Sequence, residues 1–417
     1  MVLGGQCQYF LLEGRFGVPA SITKDISMRC NLGDRINKLT ALRAKLQLAT
    51  FPDELENAQW KFGSPLADIK RLTERWRNGY DWRQHEKAIN EELPMFTRDI
   101  DVDGFGALNF IMFTRRAKLL TPFRCCFATD VGPGSFFEVI RILPLLTAST
   151  AEHPSFHVVA LSLPGFGFSE APHKQGFGIN QYAEVAHKLM VALGYNEYVT
   201  QGGDWGGIIT RKMASTYGGR HLKAWHTNFP IPEPPSWKSP LSFLSFLLTP
   251  WSIEEKAGIE RTKWFRTKGQ GYSAQQSTQP QTLGYSLTDS PVGLLAWIYE
   301  KLVLWTDNYY WSDDEVLTWI SLYWFSRAGP AASLRIYFEL RGDCEDLGRN
   351  PTIPMGASWL RKSNNVVFES HHKTGGHFAA TERPEELVRD VRKMFAKGSP
   401  AFAIVPGRTG YDAHVQQ

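Results

Sequence analysis

No apolar run in the sequence approaches the roughly 20 residues that a membrane-crossing helix needs; stretches such as Pro240 to Leu248 are the longest. The first residues, Met1 to Gly17, hold one apolar patch (Tyr9-Phe10-Leu11-Leu12) but no basic segment followed by a long apolar one, so they do not read as a secretory signal. Cysteine is scarce. The five residues Cys7, Cys30, Cys125, Cys126 and Cys344 show no metal-ligand spacing, and an odd, scattered set argues against a disulfide framework and fits a reducing compartment. A large charge of one sign is also missing. The net charge is +4 and no long Lys/Arg block occurs, so nucleic-acid binding is not indicated. These absences make a cytoplasmic protein the expectation, with peripheral membrane association left open and oligomeric state unread. What is abundant is aromatic surface. Aromatic residues make up 13% of the 417 residues, 14 of them Trp, which suits apolar pockets as well as cores.

The hydrophobic period changes along the chain. Ile36, Leu39, Leu42 and Leu46 repeat at helical spacing, as do Leu66, Ile69, Leu72 and Trp76 after Pro65. Residues 1–100 therefore read as a helical N-terminal segment that packs on the core. From 101 to 230 strands alternate with helices: Leu108 to Phe113, Phe123 to Phe127 and His157 to Leu163 as strands, Asn180 to Leu193 as helix, Asn196 to Gln201 as strand, Ile208 to Tyr217 as helix. That alternation predicts an α/β architecture, a mostly parallel sheet with helices on both faces. Residues 231–340, rich in Trp, Tyr and helical patterns, read as a helical insertion. Strand character returns at Asn365 to Glu369, a helix at Pro384 to Lys397 closes the second half of the core (341–400), and the tail 401–417 is expected to be loose.

Gly202-Gly203-Asp204-Trp205-Gly206 falls between a strand and a helix. A nucleophile elbow has this form: glycines two residues before and after the reactive side chain allow a sharp, strained strand-to-helix turn. The residue usually there is serine. A carboxylate in its place attacks carbon by displacement and forms an ester, so Asp204 is the candidate nucleophile of an α/β-hydrolase fold. Free N–H groups in the first turn of the following helix would steady developing negative charge. Taken alone, a Gly-x-Asp-x-Gly turn is more readily read as a helix cap.

The rest of the chain changes that balance. Thr374-Gly375-Gly376-His377-Phe378-Ala379-Ala380 follows the late strand and precedes the last helix, where the order nucleophile, acid, histidine places the histidine of such a fold. His377 is the candidate general base that activates water against the ester.

The chain resembles the microsomal-type epoxide hydrolase family from about residue 33 to 398. The motifs that carry the resemblance are Thr50-Phe51-Pro52-Asp53-Glu54-Leu55, Trp76 to Arg83, Leu163 to Ser169, the elbow, Asp289 to Leu294, and Gly375 to Ala380. The resemblance implies that two lid tyrosines support the epoxide oxygen while the aspartate opens the ring. The matching positions are Tyr272, in Gly271-Tyr272-Ser273, and Tyr337, in Ser333-Leu334-Arg335-Ile336-Tyr337. A strained ether leaves poorly until an acid supports its oxygen. The backbone N–H of Trp205, with Gly132 as the second contributor, would serve the oxyanion of the hydrolytic half. No cofactor and no metal are implied; the partners are a small apolar epoxide and water.

The sequence departs from the family twice. The His-Gly-x-Pro stretch before the first crossover helix reads Asp130-Val131-Gly132-Pro133, without the His-Gly pair. Gly356-Ala357-Ser358 runs straight into Trp359, without the loop that carries the family's triad acid. Asp343, Glu345 and Asp346 lie upstream, and no triad acid is assigned. Two other readings compete with an epoxide hydrolase: a haloalkane dehalogenase-like hydrolase, which also uses Asp-Trp at its elbow, and a catalytically degenerate hydrolase-fold binding protein. The aromatic lid residues Trp297, Trp305, Tyr323 and Trp324 point to bulky apolar substrates or to plain lid packing.

Overall fold

The structure is a computed structural model that describes residues 36–118, 122–128, 133–230, 250–341, 351–358 and 365–411, with Pro240, Leu244 and Leu248. At its centre is an eight-stranded sheet: β1 (Met95–Val102), β2 (Gly106–Arg115), β3 (Phe123–Ala128), β4 (Phe156–Leu161), β5 (Tyr198–Gly202), β6 (Leu222–Thr227), β7 (Met355–Ser358) and β8 (Val366–Ser370). Their order is β1-β2-β4-β3-β5-β6-β7-β8. The β1–β2 and β2–β4 pairs are antiparallel, and every pair from β4 to β8 is parallel.

Helices cover both faces, as the strand–helix alternation predicts. On β4 the alternation is visible residue by residue. Val158 and Ala160 enter one apolar cluster with α4 (Val139–Thr147), and Val159 and Leu161 enter the other with α5 (Ile179–Ala192) and α6 (Asp204–Tyr217). A strand buried on both sides has to be apolar throughout, which is why His157 to Leu163 stands out in the sequence. The short strand β6 was not foreseen. Leu222 to Thr227 carries His226 and Thr227 at buried positions and lacks an apolar run.

The insertion is helical: α7 (Ile253–Trp264), α8 (Gly271–Thr278), α9 (Pro280–Asp289), α10 (Pro291–Leu304), α11 (Asp313–Trp324) and α12 (Arg335–Glu339). The N-terminal helices α1 (Ile36–Gln47), α2 (Leu66–Asn78) and α3 (Trp82–Glu92) pack against α10 and α11, so this segment straps the lid as well as feeding β1 into the sheet. The strap is apolar first: Leu42, Leu46, Ile69, Leu72 and Trp76 are buried, each contributing about 1.5–3 kcal/mol on full burial. Arg75 adds a two-pronged pair to Asp314, Nε–Oδ1 2.8 Å and Nη2–Oδ2 2.9 Å, and Tyr80 bonds Thr318 at 3.0 Å. The exposed Arg75–Asp314 pair is screened by solvent and mainly fixes register, whereas the Tyr80–Thr318 bond is part-buried.

After β8 come α13 (Ala379–Glu382) and α14 (Pro384–Met394). The described part of the tail, through Tyr411, is packed rather than loose. Ala401, Val405 and Tyr411 are buried, and the Ser155 N–H donates to the Gly410 carbonyl at 2.8 Å. Gly410 lies so close to Phe123 and Pro154 that a Cβ there would come within 2.6 Å of Pro154. Among the described residues no helix is long and apolar enough to cross a membrane, and no cluster of three His, Cys, Asp or Glu is placed to hold a metal ion.

Candidate active site

β5 ends at Gly202 and α6 begins at Asp204. Between them the backbone turns so sharply that Asp204 takes φ +45°, a left-handed conformation rare for a residue with a side chain and costing about 1–3 kcal/mol. The glycines are explained by contact. A Cβ on Gly202 would lie 2.3 Å from the Gly206 carbonyl oxygen, and one on Gly203 would lie 2.9 Å from Asn228 Oδ1. The turn is braced from β6: Thr227 Oγ1 donates to the Gly202 carbonyl at 2.7 Å, and Gln201 Nε2 donates to Asn228 Oδ1 at 2.8 Å. Strain is thus held by neighbours within a few residues on adjacent strands. The Trp205 N–H belongs to the first turn of α6, where donors have no partner within the helix.

His377 comes to this carboxylate from the loop after β8. Its Nε2 lies 3.0 Å from Asp204 Oδ2, with both side chains largely buried, but without the alignment of a hydrogen bond. The ring is boxed by aromatics, with Trp305 at 4.8 Å, Phe378 at 5.1 Å and Phe229 at 6.2 Å between ring centroids. Among the described residues Asp204 is the carboxylate paired with His377. Asp343, Glu345 and Asp346 lie outside them, and so does the β7–β8 junction from Trp359 to Asn364, which contains no Asp or Glu.

The two tyrosines meet above Asp204. Tyr272 opens α8, Tyr337 sits in α12, and these helices pack together. Their rings are 5.8 Å apart, nearly perpendicular, and Tyr337 also stands edge-on to Trp205 at 5.0 Å. Burial raises the pKa of both phenols, and the nearby Asp204 carboxylate raises it further; a hydrogen bond from Tyr337 pulls Tyr272 part of the way back. Both are therefore held as neutral hydroxyls, able to donate a hydrogen bond. Of the two expected oxyanion donors, Trp205 lies in the first turn of α6 and Gly132 lies outside the described residues. The turn beside Gly132 is pinned to the lid: Trp319 Nε1 donates to the Pro133 carbonyl at 2.8 Å, and the Tyr323 hydroxyl donates to the Gly134 carbonyl.

A narrow cavity borders the two tyrosines on their lid side, lined by Tyr272, Tyr337, Phe166, Trp297, Tyr323 and Lys301 among others. Trp305 reaches the site through His377, whereas Trp324 packs into the lid core. Lys301 was not singled out by sequence. Its amine is buried 5.0 Å from the Tyr272 ring centroid and 5.5 Å from that of Trp297, and pairs with Glu300 at 2.6 Å. Burial pushes it below the usual lysine range, and the Glu300 pair partly restores it. Asp307 and Glu382, which bracket the histidine loop, were also missed; both bind backbone N–H groups, which leave no sequence pattern.

The sheet order, the helices on both faces and the elbow with its carboxylate define an α/β-hydrolase fold. Residues 33–139 match the model of the epoxide hydrolase N terminus, and residues 132–251 match that of the alpha/beta hydrolase fold. A putative epoxide hydrolase of Stigmatella aurantiaca (strain DW4/3-1) is 36% identical, over 86% of this chain and 82% of that protein. Epoxide hydrolase 1 of Sus scrofa is 30% identical over 86% of each chain. Among solved structures, the Aspergillus niger epoxide hydrolase is 32% identical with TM-score 0.74, covering 86% of this chain and 93% of its own. The chain belongs to the epoxide hydrolase family.

Proposed function

We propose that this epoxide hydrolase works through an ester on Asp204. A carboxylate oxygen attacks one ring carbon, the bond from that carbon to the ring oxygen breaks, and the leaving oxygen takes a proton from Tyr272 or Tyr337. His377 then removes a proton from water as it attacks the ester carbonyl, with the Trp205 N–H against the oxyanion. Collapse of that adduct releases a vicinal diol and restores the carboxylate; the histidine proton returns to the tyrosinate. The substrate is a small apolar epoxide, in keeping with the aromatic cavity wall.

The observation that carries this reading is the convergence of three kinds of group in one buried place. A carboxylate on a strained turn lies 3.0 Å from an imidazole nitrogen, below two phenols kept neutral by burial. The tyrosine pair favours an epoxide over a haloalkane, because a halide leaves without needing a proton. Among the described residues no carboxylate other than Asp204 pairs with His377, and this bears on the second step. Losing the carboxylate partner of a catalytic histidine costs on the order of 10⁴ in rate in serine-protease triads, whereas attack by Asp204 does not need that partner. The chain is therefore expected to form the ester and hydrolyse it slowly. Peptide mass spectrometry after incubation with styrene oxide tests this. The expected result is an adduct on the Asp204 peptide; an unmodified peptide together with no diol sinks the reading, and halide release from a haloalkane would redirect it.

A further inference from the structure

The loop that presents His377 is held by an unusual set of contacts. Four consecutive backbone N–H groups each have an acceptor. Gly375 donates to Asp307 Oδ2 at 2.9 Å, and Gly376 to Glu382 Oε2 at 3.0 Å. His377 donates to the Trp305 carbonyl at 2.7 Å, and Phe378 to Glu382 Oε1 at 3.0 Å. The two carboxylates are themselves linked, because the Asp307 N–H donates to Glu382 Oε2 at 2.8 Å. Trp305 and Asp307 lie just past the end of the lid helix α10, and Glu382 ends α13. The loop is thus locked between the lid and the core. Gly376 fits only because it has no side chain: a Cβ would lie 2.4 Å from the Trp305 oxygen and 2.8 Å from Glu382 Oε1. Gly375 takes φ +118°.

Glu382 is buried, which disfavours its carboxylate unless hydrogen-bond donors offset the loss of water. Here three backbone N–H groups do so, all from residues flanking the histidine or its lid contact. Three donors converging on one carboxylate fix direction better than the same number spread over a loop.

We propose that Glu382 and Asp307 are positioning residues for His377: they orient the imidazole through its own backbone, the task a triad carboxylate performs through the ring nitrogen. The inference rests on the reading of His377 as the base of the hydrolytic half. It predicts a division between the two half-reactions. Attack on the epoxide uses Asp204 and the tyrosines and does not depend on the clamp; hydrolysis of the ester does. A carboxylate with only a structural role would lower stability and leave that division unchanged.

The experiment is a single-turnover reaction with styrene oxide, quenched over time, following the modified Asp204 peptide by mass spectrometry in parent, Glu382→Gln and Asp307→Ala. Gln keeps the shape of Glu382 but turns an NH2 against a backbone donor. Asp307→Ala removes the acceptor of Gly375, together with a long 3.4 Å contact from Asn308 Nδ2, at a partly exposed position. The expected result for Glu382→Gln is ester formation within about twofold of the parent and ester decay slower by about tenfold or more, the scale that a small displacement of a reacting group produces. Asp307→Ala should slow decay by a few-fold. Unchanged decay in a folded Glu382→Gln overturns the proposal; if that variant does not fold, unchanged decay in Asp307→Ala overturns it. No ester in the parent would instead remove the functional reading beneath it.

Discussion

The elbow and the histidine loop solve the same problem, holding a reactive side chain still, by opposite means. The elbow is local. Its strain at Asp204 is set by Gly202 and Gly206 and braced by Thr227 and Asn228 on the neighbouring strand. The loop is non-local. Its four donors reach Trp305 and Asp307 in the lid and Glu382 on the following helix. On the proposed mechanism the nucleophile is therefore held by the core, whereas the histidine is held only while the lid is docked.

The largest test of that division is a pair of substitutions. Asp204→Ala should abolish both ester and diol, whereas His377→Gln should leave ester formation and stop its decay, so that modified enzyme accumulates to one equivalent. Mass spectrometry and diol assay read both. Equal loss of ester formation in the two variants would show that the loop also governs the first step.

A smaller effect is expected from the phenols. Tyr272→Phe with Tyr337→Phe removes the donors to the leaving oxygen while keeping the rings. General-acid assistance is worth about 10²–10⁴ in rate, so ester formation should slow by that range and decay of ester already formed should change little. Stopped-flow or quenched measurement of the two phases checks it; a double variant that alkylates at the parent rate would assign the acid elsewhere.

The smallest effect concerns stability. His226 on β6 is fully buried with neither ring nitrogen hydrogen-bonded, and burial holds its pKa down to about 4, against a partial lift from Asp390. An unfolded-chain histidine titrates near about 6.5. Between these values the unfolded chain takes up the proton first, so the stability His226 contributes is complete above about 6.5 and is lost as pH falls toward about 4. Melting temperatures should drop over that window in the parent and drop less in His226→Phe; parallel curves would put the pH dependence on other groups.

The local half of the site was legible in the sequence and the non-local half only partly. Asp204 and His377 announce themselves because glycines must flank a strained turn, and Gly375 and Gly376 mark the second place where backbone comes close. Strand β4 is equally plain because burial on both faces demands apolar residues, whereas β5, which buries Thr200 and Gln201, stands out by its place before the glycine turn. β6 was not, because it buries His226 and Thr227. Nor was the role of Glu382, because acceptors of backbone N–H groups follow no period. The described tail, expected to be loose, is held by Tyr411 and Gly410 through contacts that its glycines and proline do not advertise.

The central claim is that the oxygen entering the diol comes first from Asp204. One turnover of styrene oxide in ¹⁸O-water tests it most directly. The account predicts label in the Asp204 peptide and none in the first diol released, since water attacks the ester carbonyl and the diol keeps the aspartate's original oxygen. Label in the diol, with an unlabelled Asp204 peptide, would mean that water opens the ring itself and would contradict the account.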